Sequence, residues 1–394
     1  MIKWLHAFPF KQDDTLQPTV CSTKEQEDPY MKALIAKQQL LDAINMVQKA
    51  VMQKATLPVL EGIYIEAGEK LTLVGNCFEL GIACTVDADI RDKGAIVIQA
   101  RMFGEIIRRL PDSLISIEVS GTKVKIECMN SFFEIKGMEA ESYPLPPNYD
   151  EDMAISLSQG TFKDMIRQTM FAVSQDENRR IMTGVLLETK ESGLSLVALD
   201  GFRMAVSRTI LKESESMRVV IPGKNMSEIH KILDNSAEEV RIVKTGSMVT
   251  FEMRNCRIVS KTIDGEFMNY NGYIPTQYES VIIVNRKELE DGLDRASLIT
   301  SDDKRYPVRL NLSGDQMTIF SAAEMGSSKE NILMRNEGGD LQVGFNPKFL
   351  LDSLKVIPDD NIRISFNSQI GPAIITPIEG ERYLFLVLPV RIKA

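Results

Sequence analysis

The chain has 394 residues, 44% of them apolar and 26% charged, with a formal net charge of −9. Such a length provides for two or three domains with sizeable cores, and the acidic sum, taken as a sum, argues against a nucleic-acid partner. With only His6 and His230 there is no histidine set for a metal or a Ser/His/Asp nucleophile, and Cys21, Cys77, Cys84, Cys128 and Cys256, scattered without a C-x-x-C pair, read as buried thiols in a reducing cytoplasm.

Residues 1–30 are polar, carry Pro18 and Pro29 and belong to no repeat, so a disordered arm is expected, with Met31 as an alternative start. The opening MIKWLHAFPFKQDD lacks the apolar core and cleavage site of a signal peptide. No apolar run approaches the ~20 residues a membrane span needs. A cytoplasmic protein with no membrane partner is expected.

A helix follows in LLDAINMVQKAV, where Leu40, Ile44, Val47 and Val51 form one stripe. The alternating strand LTLVGN begins at Leu71, and a second helix lies in VIQARMFGEIIRRL from Val97. There Phe103, Ile106, Ile107 and Leu110 make the buried face and Pro111-Asp112 stops it. After the proline-rich YPLPPNYDED the order recurs: Phe162, Ile166 and Val173, then LSLVAL from Leu194, then VIPGKNMSEIHKIL from Val220. A linker around Pro275 leads to a third copy with Leu289, Leu293 and Ala296, MTIFSA from Met317, and GFNPKFLLDSLKVI from Gly344, stopped at Pro358-Asp359. Leu71, Leu194 and Met317 stand 123 residues apart in each step. That period fits a small domain better than a solenoid unit. The expectation is an α+β chain of three tandem similar domains, 31–150, 151–276 and 277–394, with two helices packed on antiparallel sheet in each. All helices would then lie on one side of the array.

The second helices share charges as well as apolar positions. Arg101, Glu105 and Arg108 become Lys224, Glu228 and Lys231, then Lys348, Asp352 and Lys355. Spacings of i, i+4 and i+7 put each trio on one face. Local ion pairs worth about 0.2–0.5 kcal/mol each explain any one such face, but six basic flanking positions out of six in an acidic chain call for more. Lys49, Lys54, Lys163, Arg167, Lys287 and Arg295 on or near the first helices, and Gln175, Arg179 and Arg180 in SQDENRR, extend the set. Gathered on one surface they suit a phosphate backbone, and the scarcity of aromatics among them excludes base stacking.

From Met31 to Ile392 the chain resembles the β subunit of bacterial replicative DNA polymerase, the sliding-clamp family. The resemblance is carried by TLPVLEGIYIE from Thr56, VALDGFRMAV from Val197, SKTIDGEFMNY from Ser260 and LVLPVRI from Leu386, in that order and spacing. It implies a non-enzymatic ring: two chains of three domains joined head to tail as a homodimer, with twelve helices around duplex DNA. Twelve helices about 8–10 Å apart make a circle of roughly 31–38 Å, and a helix thickness of about 10 Å leaves a bore of roughly 20–28 Å. The resemblance also implies DNA contacts at Lys54, Arg101, Gln175, Arg179 and Lys224. It implies a pocket between the second and third domains for short peptides of the replicative polymerase catalytic subunit, the clamp loader, and other polymerases and repair proteins. Its positions are Ile181, Leu199, Gly201, Phe202, Arg203, Met204, Asn346, Phe349, Ile370, Pro372, Leu386, Leu388, Pro389, Val390 and Arg391.

Read as residues alone, an apolar chain end beside a glycine turn can form such a cleft, with Arg203 or Arg391 at its rim. Met268, Gly272 and Tyr273 depart from the family's usual proline, basic and aliphatic residues, and the tail Lys393-Ala394 extends past the usual end. Two other readings are a peptide-binding scaffold that never encircles DNA and a metal-dependent nucleic-acid hydrolase built on Asp302-Asp303, Asp359-Asp360 or Asp200. Those acids read as turn formers and helix caps, so no catalytic residue, metal or cofactor is expected.

Overall fold

A computed structural model describes residues 30–147, 153–190, 193–212, 216–299, 307–324 and 326–391. Most of the expected arm, part of the first linker, Asp302-Asp303 and the tail Lys393-Ala394 lie outside them. The first repeat runs β1 (Tyr30–Ala36), α1 (Lys37–Val47), β2 (Gly62–Ala67), β3 (Leu71–Asn76), β4 (Leu80–Val86), β5 (Asp89–Asp92), β6 (Gly94–Gln99), α2 (Ala100–Arg109), β7 (Leu114–Ser120), β8 (Lys123–Cys128) and β9 (Ser131–Lys136). Tyr30, assigned to the arm by its sequence, is already in β1 and donates its hydroxyl to Glu118.

The second repeat runs β10 (Met153–Ser158), α3 (Gln159–Met170), β11 (Gly184–Lys190), β12 (Gly193–Leu199), β13 (Arg203–Ile210), β14 (Arg218–Pro222), α4 (Gly223–Ile232), β15 (Glu239–Thr245), β16 (Met248–Met253) and β17 (Cys256–Lys261). The third runs β18 (Ser280–Asn285), α5 (Arg286–Ser297), β19 (Val308–Ser313), β20 (Gln316–Ala323), β21 (Gly326–Gly338), β22 (Leu341–Phe345), α6 (Pro347–Leu354), β23 (Asn361–Phe366), β24 (Ala373–Pro377) and β25 (Tyr383–Val387). None of the described helices is long and apolar enough to cross a membrane.

The helices form where the stripes place them. Leu40, Ile44 and Val47 on α1, Phe103 and Ile107 on α2, and Phe162 and Ile166 on α3 are fully buried. Each such side chain contributes about 1.5–3 kcal/mol of burial. Side-chain oxygens of Gln99, Ser158, Asn285 and Asn346 accept the first free N–H groups of α2, α3, α5 and α6. A second device recurs in all three repeats. Lys37 Nζ donates to the Leu110 carbonyl after α2, Lys163 Nζ to the Leu233 carbonyl after α4, and Arg286 Nε to the Asp359 carbonyl after α6. In the first two repeats the cation closes the end of the second helix, where orphan carbonyls and the helix dipole favour positive charge, while in the third it grips the loop five residues past α6.

Every strand pair is antiparallel, and the strands do not form one sheet per repeat. They make sheets of five (β5-β1-β7-β8-β9), eight (β10-β15-β16-β17-β4-β3-β2-β6) and twelve strands (β14-β11-β12-β13-β25-β24-β23-β18-β21-β20-β19-β22). Both larger sheets cross a domain junction by the same rule. The last strand of one domain pairs with the fourth of the domain before it, β17 with β4 and β25 with β13. Helices of a repeat pack on each other and on strands of both its halves, giving a main core that runs through all three repeats, with two smaller apolar clusters beside it. By that rule two strands among the described residues lack their counterpart across a junction: β9, which pairs only with β8, and Gly326–Leu333 of β21, which pairs only with β20.

Side chains seal the first junction. Asn225 of α4 donates to the Glu79 carbonyl at 2.9 Å and to Ser260 Oγ at 2.8 Å, while the Lys261 N–H reaches the same Glu79 carbonyl at 3.0 Å. Within the first domain, Gly75 of β3 brings the strand against the end of α1, where an added Cβ would overlap the Val47 carbonyl oxygen. We therefore expect Gly75→Ala to lower stability by about 2 kcal/mol or more, measured as a shifted urea midpoint.

Candidate functional site

The apolar cluster behind the second junction opens to the surface as a cleft of about 330 Å³. Its walls are Met182, Leu199, Gly201, Phe202, Arg203, Met204, Met268, Tyr273, Pro372, Leu386 and Leu388. The β13–β25 pairing brings the two halves together, and the N–H of Leu388 continues it by donating to the Phe202 carbonyl at 2.9 Å. The turn between β12 and β13 depends on Gly201, whose φ of +91° suits glycine and whose added Cβ would lie 3.0 Å from Arg179 Nη1. Asp200 holds that turn by accepting the N–H groups of Phe202 and Arg203.

Eight of the pocket positions named from the sequence line this cleft: Leu199, Gly201, Phe202, Arg203, Met204, Pro372, Leu386 and Leu388. The others stand around it. Phe349 of α6 stacks on the far face of Phe202, with centroids 6.0 Å apart, and Asn346 caps the same helix. The Val390 N–H donates to the Gly344 carbonyl, and Pro389 and Arg391 continue along that side. Ile181, like Met182 and Met268, packs against the buried cluster, and Ile370 is 86% exposed. Met182 was not anticipated, and Met268 and Tyr273 were noted only as departures from a pattern. They come from segments remote in sequence from β12 and β25.

Arg203 does not stand at the rim. Its side chain is 9% exposed and bridges Asp200 at 3.0 Å and Asp352 of α6 at 2.6 Å. The guanidinium lies 4.7 Å from the ring centre of Phe349 and 5.4 Å from that of Phe171. Two carboxylates and two ring faces around one planar cation use what a guanidinium offers over an ammonium. Arg203 therefore ties the second domain to the third and holds Phe349 against Phe202. Arg391 is the exposed cation on this side.

The basic positions divide according to their partners. Arg108 and Arg109 both pair with Glu105, Lys231 and Lys49 with Glu228, and Lys348 with Asp352. Lys163 is engaged on the Leu233 carbonyl, Lys287 pairs with Asp291, and Arg295 with Glu330. By contrast Lys54 and Arg101 are exposed, form no ion pair among the described residues, and line one recess of about 500 Å³ with Gln48 and Gln99. Lys224, whose side chain is 91% exposed, meets only Glu177 at 3.7 Å, a contact worth little in water. It shares a second recess, about 480 Å³, with Gln175 and Arg180. Arg179 points from that turn toward Gly201 instead. On α4, burial, then Lys163 and Arg167, push the pKa of His230 below its ordinary value.

Asp359 accepts from Arg382 and from the Tyr383 hydroxyl, and Asp200 from its own turn and Arg203, so both serve structure. No group of three or more His, Cys, Asp or Glu side chains among the described residues is placed to hold a metal.

Three family descriptions cover these domains in order: DNA polymerase III beta subunit, N-terminal domain over residues 31–149, central domain over 156–269 and C-terminal domain over 272–391. The beta sliding clamp of Bacillus subtilis is 35% identical over 376 residues, covering 92% of this chain and all of the relative. The crystal structure of the B. subtilis DNA polymerase sliding clamp superposes with a TM-score of 0.89 at 35% identity, again over 92% and 100% of the two chains. A sliding clamp from Pseudomonas aeruginosa bound to griselimycin superposes at 0.88 and 26% identity with the same coverage.

Truncating Arg203 leaves Asp200 partly buried without a cation and Asp352 with only the exposed Lys348. Arg203→Ala is expected to cost about 2–4 kcal/mol in denaturant unfolding. Arg203→Lys should recover less than half, because an ammonium cannot span both carboxylates and stack on Phe349.

Proposed function

This chain belongs to the DNA polymerase III β-subunit family, the sliding clamps, and from that membership we propose how its own residues close the ring, line it and receive partners. It is a non-catalytic processivity factor of DNA replication that encircles duplex DNA and tethers the polymerase. The observation that carries the closure is the junction rule. Last strand pairs with preceding fourth strand twice within the chain, which leaves β9 without a preceding domain and the first half of β21 without a following one. A second copy supplies each edge with its missing partner. Phe132 and Phe133 on β9 and Leu333 on β21, exposed by 56%, 38% and 76%, become buried there. Two copies joined head to tail satisfy both edges at once, as unpaired strand edges require. The six described helices of each copy then make twelve.

Lys54, Arg101, Gln175 and Lys224, with Arg179 and Arg180 from the turn beside them, serve as phosphate contacts. What supports this is that Lys54, Arg101 and Lys224 stand exposed and all but unpaired, while most other cations of the set are engaged by neighbours. Arg101 and Lys224 also sit in the first turns of α2 and α4, where helix dipoles add positive potential. Such contacts are blind to sequence and weak enough to slide. The cleft with Met268 and Tyr273 receives an apolar peptide anchor from the polymerase, the clamp loader or repair proteins, flanked by Phe349, Asn346, Ile370 and Arg391. Domain limits of 31–150, 151–276 and 277–394 and a cytoplasmic setting belong to the same reading.

Clamps loaded on nicked circular DNA should survive gel filtration and be lost once the circle is linearised. Equal loss from both forms would instead indicate a scaffold that does not encircle DNA. Solution molar mass should be twice 44.2 kDa, falling to the single-chain value when Phe132→Asp and Leu333→Asp are combined. Replacing Lys54, Arg101 and Lys224 by alanine removes these cations from both copies of the ring and should reduce the log–log salt slope of DNA association by up to about 5 while the dimer persists, and an unchanged slope would remove their role.

A further inference from the structure

Cys84 and Cys256 meet across the junction of the first and second domains with their sulfurs 3.3 Å apart. Cys84 lies on β4, Cys256 opens β17, and the two are direct register partners. The Thr85 N–H donates to the Asn255 carbonyl at 2.9 Å, so a ladder bond flanks this pair instead of joining it. In such a pair the Cα atoms lie about 4.5 Å apart and the side chains approach closely. That separation falls within the roughly 4.4–6.8 Å that disulfides span. The bond can therefore form with both strands in place. Met46 Sδ packs 3.7 Å from Cys84 Sγ. Both thiols border a recess of about 350 Å³ shared with Asp42, Gln159 and Arg254. Cys256 is the more accessible, 8% exposed against 2% for Cys84.

We propose that Cys84 and Cys256 form a redox site, converted by a low-molecular-weight disulfide such as oxidised glutathione into an intramolecular bond that staples the first domain to the second. The Cys256 thiolate attacks one glutathione sulfur, forming a mixed disulfide and releasing one glutathione thiolate. The Cys84 thiolate then attacks Cys256 Sγ, breaking the mixed disulfide and releasing the second. The two cysteine protons end on the two glutathiones, and the protein loses the two electrons that glutathione gains. The hydrogen bond to Cys84, and then burial, push the Cys256 pKa up, so the thiolate is scarce at neutral pH and the reaction quickens as pH rises. The staple joins residues 172 apart in sequence and acts on the unfolded chain as any long-loop cross-link does. It lies outside the peptide cleft and away from both free strand edges.

The test is to expose the reduced full-length dimer to oxidised glutathione at neutral and mildly alkaline pH, block remaining thiols, and map the digest by mass spectrometry. The expected product is a peptide pair joining Cys84 to Cys256, two hydrogens lighter than its parts and lost on reduction. Its rate should rise about tenfold per pH unit, and the cross-linked chain should melt several degrees higher. Cys84→Ser and Cys256→Ser should each abolish the pair. Complete blocking of both thiols without a cross-link, a stable glutathione adduct on Cys256 alone, or a bond to Cys77 or Cys128 instead would each overturn the proposal.

Discussion

Main-chain hydrogen bonding across the domain junctions is the interaction on which this architecture rests. Each junction zips a last strand onto a fourth strand, with Arg203 to Ser207 paired to Val387 through Tyr383 at one and Leu80 to Cys84 paired to Ser260 through Cys256 at the other. Backbone donors and acceptors are present at every residue whatever the side chain, so domain order and spacing survive wide sequence change. Side chains then set the angle. Asn225 and Ser260 grip the Glu79 turn at one junction, and Arg203 grips Asp352 at the other. The apolar cleft is a product of that second grip, because its walls belong to different domains.

Charge on the helices follows from the same economy of partners. Glu105 takes up Arg108 and Arg109, and Glu228 takes up Lys231 and Lys49, so the later cations of the first two trios are largely neutralised at their own helix, whereas in the third Asp352 takes up the first cation, Lys348. Arg101 and Lys224, two turns earlier, keep their charge facing water. The positive surface is therefore a few points at helix starts rather than continuous stripes. A body of net charge −9 can in this way present cations locally without gripping a polyanion tightly.

Much of this was legible in the residues. The 123-residue period, the helix stripes at Leu40, Ile44 and Val47 or Phe162 and Ile166, and the trios of charges all follow from spacing. The exchange of strands between domains was not, since alternation along β17 tells which face is apolar and nothing about its neighbour. Arg203 read as a cation beside a glycine turn, but its partner Asp352 lies 149 residues away, beyond the reach of local pattern. Lys163 looked like part of a basic face until the Leu233 carbonyl appeared opposite its ammonium. Cys84 and Cys256 likewise seemed scattered because only the sheet brings them together.

The two unmatched strand edges carry a geometric consequence. One edge ends the first domain and the other belongs to the third, so two copies joined through them are related by a dyad running along the bore. Rotation about that axis turns neither copy over. Both clefts must open toward the same end of the DNA, and the ring has a front and a back. Under the proposed function, a partner anchored in either cleft is thereby held facing one way along the double helix.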